Sequence, residues 1–262
     1  MARLTAGFFF VIWVMDSTKR FGDRVADYVK YRPDYPAAIL SALHVSPDWV
    51  VADIGSGTGI STELFLRAGC HVHAMEPNEA MRAKAEELLA SYPGFTSVNG
   101  TAEATGLAAG SFDLIVAGQA FHWFDPVRTR EEMVRISRPG AVVALIWNER
   151  LMELPFEKEY EELILQYAGD YRTINHKNIT DQQIGKFFHP ADFVLQQFEN
   201  GQDFDFDGLK GRLLSSSYIP KEGEKFEAMI GALEKLYGNY AVNGKVRVRY
   251  DTKMYSGVLR PA

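Results

Sequence analysis

The chain has 262 residues, 47% hydrophobic and 24% charged, ordinary proportions that exclude wholesale disorder and a collagen-like or coiled-coil architecture. A formal net charge of -6 offers no general attraction to polyanions, so nucleic acid is not an expected partner. The single cysteine, Cys70, forms no internal disulfide and the six histidines lack metal-finger spacing, so no metal is expected and a reducing cytoplasm is the expected compartment.

In chain order, the first feature is the unbroken apolar run Phe8 to Met15. It is far short of the roughly 20 residues that span a bilayer. No small-x-small cleavage site follows it, and Asp16 to Arg20 turns polar at once, so export is not expected. Met15 reads as an alternative start and residues 1–15 as an extension. Trp49 to Ile54 reads as a buried strand entering the glycine turn GSGTG. Ile60, Leu64 and Ala68 recur at helical spacing until Gly69, and Cys70 to Met75 is the next strand. Asn78 to Ala90 is helical, Phe95 to Asn99 and Phe112 to Ala117 are strands, Val127 to Ile136 is a helix, and Ala141 to Trp147 is a fifth strand.

Strands alternating with helices imply right-handed βαβ units and a mostly parallel, doubly wound α/β sheet. Beyond it, Phe156 to Ala168 and Glu224 to Tyr240 read as helices, and Phe193 to Phe198 and Val246 to Tyr250 as strands. Lys245, Arg247 and Arg249 alternate with Val246, Val248 and Tyr250, the pattern of a strand with one wet face. No linker separates these parts. Residues 16–262 read as a single domain: a cap over 16–48, a core over 49–147, a helical addition with the sixth strand over 148–243, and a last strand region over 244–262.

A strand, then Gly55-x-Gly57-x-Gly59, then a helix, puts small residues where backbone turns tightly and approaches a nucleotide-like cofactor. The dinucleotide fingerprint wants a further glycine where Ile60 stands. Glu76 ends the second strand, 21 positions after Gly55, where a carboxylate accepts from both ribose hydroxyls. The plain alternatives are that Asp53 caps a turn, Glu76 is a solvated charge and Met81 fills the core.

The chain resembles class I S-adenosylmethionine-dependent methyltransferases, in particular the small-molecule type 11 group that includes trans-aconitate methyltransferases. VADIGSGTG (Val51 to Gly59), MEPNEAM (Met75 to Met81), GTAEATGL (Gly100 to Leu107), SFDLIVAGQAFHWFD (Ser111 to Asp125) and RPG (Arg138 to Gly140) carry the likeness, with FGDRVADYVKYRPDYP (Phe21 to Pro36) similar to that group's cap. The resemblance implies S-adenosylmethionine as cofactor, with Gly55, Ser56 and Gly57 under the methionine moiety and Asp53 holding the loop and the ammonium. It implies Glu76 on the ribose, Pro77, Asn78 and Met81 beside the adenine, and Ala102 offering its backbone to the ring. Many relatives carry an acidic residue where Thr101 stands, which leaves the adenine amine to Thr101, Glu103 or a water.

Gln119 to Phe124 falls at the carboxyl end of the fourth strand, where open α/β sheets bind ligands and where aromatic faces suit a sulfonium. Gln119 belongs to the cofactor side, and His122 and Trp123 to the acceptor side. His122 either takes a proton from a hydroxyl or amine, or orients an acceptor that needs no base. Tyr28, Tyr31, Arg32 and Tyr35 either cover the cofactor, with Arg32 on its carboxylate, or form a proline-stiffened packing segment. Arg150, Arg172 and His176 are candidate partners of an acidic acceptor. His71 and His73 share one strand face and read as packing rather than metal ligands. The expectation is a small-molecule methyltransferase, monomeric or weakly dimeric, acting first on a carboxylic acid. The alternatives are a nicotinamide-dependent oxidoreductase and a cofactor-binding protein without turnover.

Overall fold

The computed structural model describes residues 29–168, 179–216 and 218–260. The expectations for residues 1–15, for Tyr28 and for Arg172 and His176 lie outside the described residues.

Seven strands form one sheet: β1 (Val50–Ile54), β2 (His71–Met75), β3 (Phe95–Val98), β4 (Phe112–Gly118), β5 (Ser137–Arg150), β6 (Val194–Phe204) and β7 (Val246–Gly257). Their order is β3-β2-β1-β4-β5-β7-β6, the first five parallel and β7 antiparallel to both its neighbours. This is the expected doubly wound sheet. The order reverses between β1 and β4, which opens a crevice at their carboxyl ends. β1 is buried from Val51 to Ile54, as a strand covered on both faces must be.

The helices are α1 (Ala38–Ala42), α2 (Ile60–Arg67), α3 (Glu79–Leu89), α4 (Pro126–Ile136), α5 (Pro155–Tyr167), α6 (Asp181–Phe188), α7 (Phe206–Leu214) and α8 (Glu224–Tyr240). Their starts are chemically set. Asn78 Oδ1 accepts from Met81 N at 3.0 Å to begin α3, and Met81, Ala85 and Leu89 then form its buried stripe. Asp125 accepts from Val127 N and Arg128 N before Pro126 opens α4. Thr180 and Gln183 make a reciprocal capping box at α6.

Three apolar clusters hold these elements. Two lie on opposite faces of the sheet, around Met75, Phe112, Met133 and Trp147 on one side and Ile39, Phe65, Leu114 and Ile146 on the other. The third joins α5, α7 and α8 to β6 and β7 through Tyr160, Leu209, Leu233 and Tyr250.

Several boundaries move outward from the expected ones. β6 reaches Phe204 and β7 reaches Gly257 because the two pair without interruption from Val194↔Ser256 to Phe204↔Val246. The addition over 148–243 contains α6 and α7 as well as the two expected helices, and its helices fall on both sides of the sixth strand. Val246, Val248 and Tyr250 are buried while Arg247 is exposed and Arg249 half-buried, as the alternation predicts. His71 is exposed and His73 packs edge-on to Phe112, and no metal-ligand cluster occurs among the described residues. No helix among the described residues is long and apolar enough to cross a membrane.

Candidate active site

The crevice at the sheet's reversal is a cleft, open to solvent, between the glycine loop, the β4 end and the segment around Arg32 to Tyr35. Of the sequence-derived residues, Arg32, Gly55, Ser56, Gly57, Glu76, Pro77, Met81, Gln119 and Trp123 line it. Gly55 turns at φ 71°, and a Cβ there would stand 2.7 Å from Ala120 Cβ, so only glycine lets the loop lie against the β4 end. A Cβ on Gly118 would meet the Tyr35 hydroxyl at 2.7 Å, so the Tyr35 side chain packs directly on the β4 backbone.

Glu76 fixes the loop from the β2 end. One carboxylate oxygen accepts from Gly57 N at 2.9 Å and the other from Asn78 N at 2.8 Å. Burial raises its pKa, and these two backbone donors oppose the rise. Each oxygen keeps a lone-pair site toward the cleft, the arrangement a pair of ribose hydroxyls needs.

Asp53 stands under the loop and is fully buried. Its Oδ2 accepts from Ser61 Oγ at 2.7 Å and Thr62 Oγ1 at 2.6 Å, which ties β1 to the first turn of α2. Its Oδ1 has no hydrogen-bond partner, and burial pushes its pKa up to about 6. The Ser56 hydroxyl, also buried and in the cleft wall, lacks a partner too. Two orphaned oxygens beside a glycine cradle fit the methionine end of S-adenosylmethionine, with its ammonium and carboxylate.

His122 and Trp123 occupy a short 3-10 turn, Phe121–Trp123, with ring centroids 4.9 Å apart. Trp123 and Phe124 face the cleft. Burial, and then the charge of Arg32, hold the His122 imidazole down to about 4, so it is neutral at pH 7. Gln119 takes a positive φ of 54°, uncommon for a residue with a side chain. Its amide is locked to β5, accepting from Asn148 N at 3.2 Å and donating to Asn148 O at 3.4 Å.

Six expected residues do not line the cleft: Asp53 and His122, described above, and four that fall elsewhere. Tyr31 packs into the third cluster against α7, where a Cβ on Gly211 would lie 2.0 Å from its ring. Ala102 is buried in the core, Thr101 is exposed, and Glu103 accepts from Asp125 N at 2.9 Å ahead of α4; none of the three lines the cleft. Sequence reasoning missed Asn148, a buried cleft residue. Its Nδ2 donates to the carbonyls of Asp34 at 3.3 Å and Pro33 at 3.5 Å, and its Oδ1 accepts from Thr252 and Asn200. No local signal marks it, since every side-chain partner comes from a distant segment.

Residues 52–145 match the family of the methyltransferase domain. An uncharacterized methyltransferase of Mycobacterium tuberculosis is 35% identical over 149 residues, 57% of this chain and 60% of that one. The match therefore spans three fifths of that relative's length. Among solved structures, an Anaeromyxobacter dehalogenans protein described as a type II methyltransferase superposes with a TM-score of 0.66 at 26% identity, covering 88% of this chain and 100% of that one. A Geobacter sulfurreducens S-adenosylmethionine-dependent methyltransferase in complex with S-adenosylhomocysteine shares the fold at a TM-score of 0.51 and 16% identity, over 90% of this chain and 98% of that one. Family match, strand order and cleft chemistry agree: residues 52–145 match a methyltransferase domain, the fold is the Rossmann-like one of the solved methyltransferases it superposes on, and the cleft fits S-adenosylmethionine.

Proposed function

We propose that the protein is an S-adenosylmethionine-dependent methyltransferase that methylates a carboxylate oxygen of a small acid. Bound in the cleft, the cofactor supplies an electrophilic methyl group on a sulfonium that also serves as leaving group. The chain's own work is to hold the acceptor in line and keep water out. Glu76 and the glycine loop seat the cofactor, Trp123 and Phe124 present aromatic faces to the cation, and Arg32 brings a fixed positive charge to the cleft wall.

The observation that carries the choice of acceptor is the state of His122. An imidazole held at about 4 is a weak base at neutral pH, where deprotonating a phenol or an ammonium requires a far stronger one. A carboxylate arrives ionised and needs no base, so the chemistry requires no proton-accepting role of His122.

Turnover of labelled S-adenosylmethionine against panels of small carboxylic acids, phenols and amines tests this. Acids are the expected substrates, with a flat rate between pH 6 and 8 and a His122→Gln enzyme within about tenfold of wild type. Transfer confined to phenols or amines, rising with pH and abolished in His122→Gln, would overturn the reading. Calorimetry with S-adenosylhomocysteine and NAD separates the nicotinamide alternative, and cofactor binding with no turnover of any panel member points to a binding protein.

A further inference from the structure

The cleft wall supplied by residues 32–35 hangs on side-chain amides from a distant part of the sheet. Three successive carbonyls of this segment are caught in this way. Gln202 Nε2 donates to Arg32 O at 3.3 Å, Asn148 Nδ2 to Pro33 O at 3.5 Å and Asp34 O at 3.3 Å, and Asn200 Nδ2 to Asp34 O at 2.7 Å. Pro33 has no N–H, so its carbonyl is the one backbone group by which the sheet can grip it.

The strand register brings these amides together. Asn148 stands opposite Thr252 across β5 and β7, and Asn200 opposite Tyr250 across β6 and β7. Asn148, Thr252, Tyr250, Asn200 and Gln202 therefore share one face at the two-residue period of a strand. Each amide oxygen is already engaged on the sheet. That of Asn148 accepts from Thr252 Oγ1 at 2.5 Å and Asn200 Nδ2 at 3.2 Å, that of Gln202 from Tyr250 Oη at 3.2 Å, and that of Asn200 from Gly201 N at 2.8 Å. With the oxygens so fixed, the NH2 groups are turned toward the carbonyls of residues 32–34.

Asn148 is the hub of this arrangement. It is buried, it lines the cleft, and its backbone N and O hold the Gln119 amide, so one residue ties the segment to the β4 end.

We propose that Asn148 is a positioning residue for cofactor binding: its amide, backed by Asn200 and Gln202, clamps residues 32–34 to the sheet and so fixes Arg32, Pro33 and Tyr35 as one wall around S-adenosylmethionine. The proposal rests on the reading of the cleft as the cofactor site and is independent of the acceptor. Loss of the clamp leaves the glycine loop and Glu76 in place, so cofactor binding weakens without being abolished.

Asn148→Asp probes the donor alone. It keeps the shape and the contact with Thr252, but its ionised carboxylate sets an oxygen against two carbonyl oxygens; once protonated, the same carboxyl donates to one of them as the amide did. Burial beside carbonyls raises the pH at which that proton is lost.

The test is calorimetry of S-adenosylhomocysteine binding to wild type, Asn148→Ala and Asn148→Asp between pH 5 and 8.5, with the melting temperature of each. Asn148→Ala is expected to bind about tenfold more weakly than wild type across the range. Asn148→Asp is expected to lose at least as much at pH 8.5 and to return to within about threefold of wild type at pH 5. Comparison with wild type at each pH cancels the titration of groups that all three proteins share, Asp34, Asp53, Glu76 and His122 among them. A purely structural Asn148 would lower the melting temperature and leave the affinity of the folded protein at the wild-type value. That result, or an Asn148→Asp loss that does not change with pH, overturns the clamp and leaves the cofactor reading standing. Wild type that binds no S-adenosylhomocysteine at any pH overturns that reading and the clamp with it. Should neither Asn148 variant fold, Asn200→Asp, a half-buried position on the edge strand β6, decides on the same pH-dependent ratio.

Discussion

Asp53 and His122 are buried groups whose titrations pull stability in opposite directions. Asp53 keeps its proton in the fold up to about 6, whereas an unfolded aspartate loses it near 3.8, so over that window the folded state binds more protons and stability falls as pH rises. His122 is protonated in the fold only below about 4, against 6.5 when unfolded; there the unfolded state binds more protons, and stability rises with pH. Each effect is on the order of 2–3 kcal/mol, so wild type should be nearly flat between pH 4.5 and 6 as far as these two groups decide it. Urea midpoints across that range check this: Asp53→Asn should lose stability on acidification and His122→Gln should gain it. A parallel profile for all three proteins would contradict the assignments. Glu76→Gln belongs to the same scale. It puts an amide NH2 against one of two backbone donors, Gly57 N or Asn78 N, and should weaken S-adenosylhomocysteine binding by about tenfold or more in calorimetry.

Helix α8 shows what one element contributes. Met229, Leu233 and Leu236 are buried at helical spacing against α5 and the end of β7, and Leu233 is fully enclosed. Leu233→Ala should cost about 2–4 kcal/mol in denaturant unfolding while leaving cofactor affinity unchanged, because this cluster stands apart from the glycine loop. The element was legible in the sequence to its exact ends, Glu224 and Tyr240, since its stripe and its acidic first turn are local signals. β1, its glycine loop and α2 were legible to within one residue. Helices α6 and α7 were not legible: each is short, and Phe187, Phe188, Leu209 and Leu213 acquire their faces only from neighbours far along the chain. The outer half of β6, Glu199 to Phe204, is polar enough to pass for a loop and is a strand because β7 pairs with it. Tyr31 was assigned to the cleft from its neighbours' chemistry, and Gly211 shows why its ring goes elsewhere.

At the scale of the whole molecule, the sheet order that places the crevice is readable from βαβ alternation, but the walls of the crevice are not. Part of their lining comes from outside the 52–145 domain: Arg32, Pro33 and Tyr35 precede it and Asn148 follows it. Asn148 joins the Pro33 and Asp34 carbonyls, Gln119, Asn200 and Thr252, four segments spread over most of the described chain. Loop-closure entropy makes contacts of such separation late events, since each must wait for the strands that carry it. β6 and β7 therefore have to dock before the amide of Asn148 can be satisfied and Arg32 held in place. The cofactor cleft is then among the last parts of the molecule to be completed in refolding, so recovery of S-adenosylhomocysteine binding should lag behind recovery of far-UV circular dichroism, and a nascent chain that ends before Val246 should hold the glycine loop yet bind the cofactor weakly.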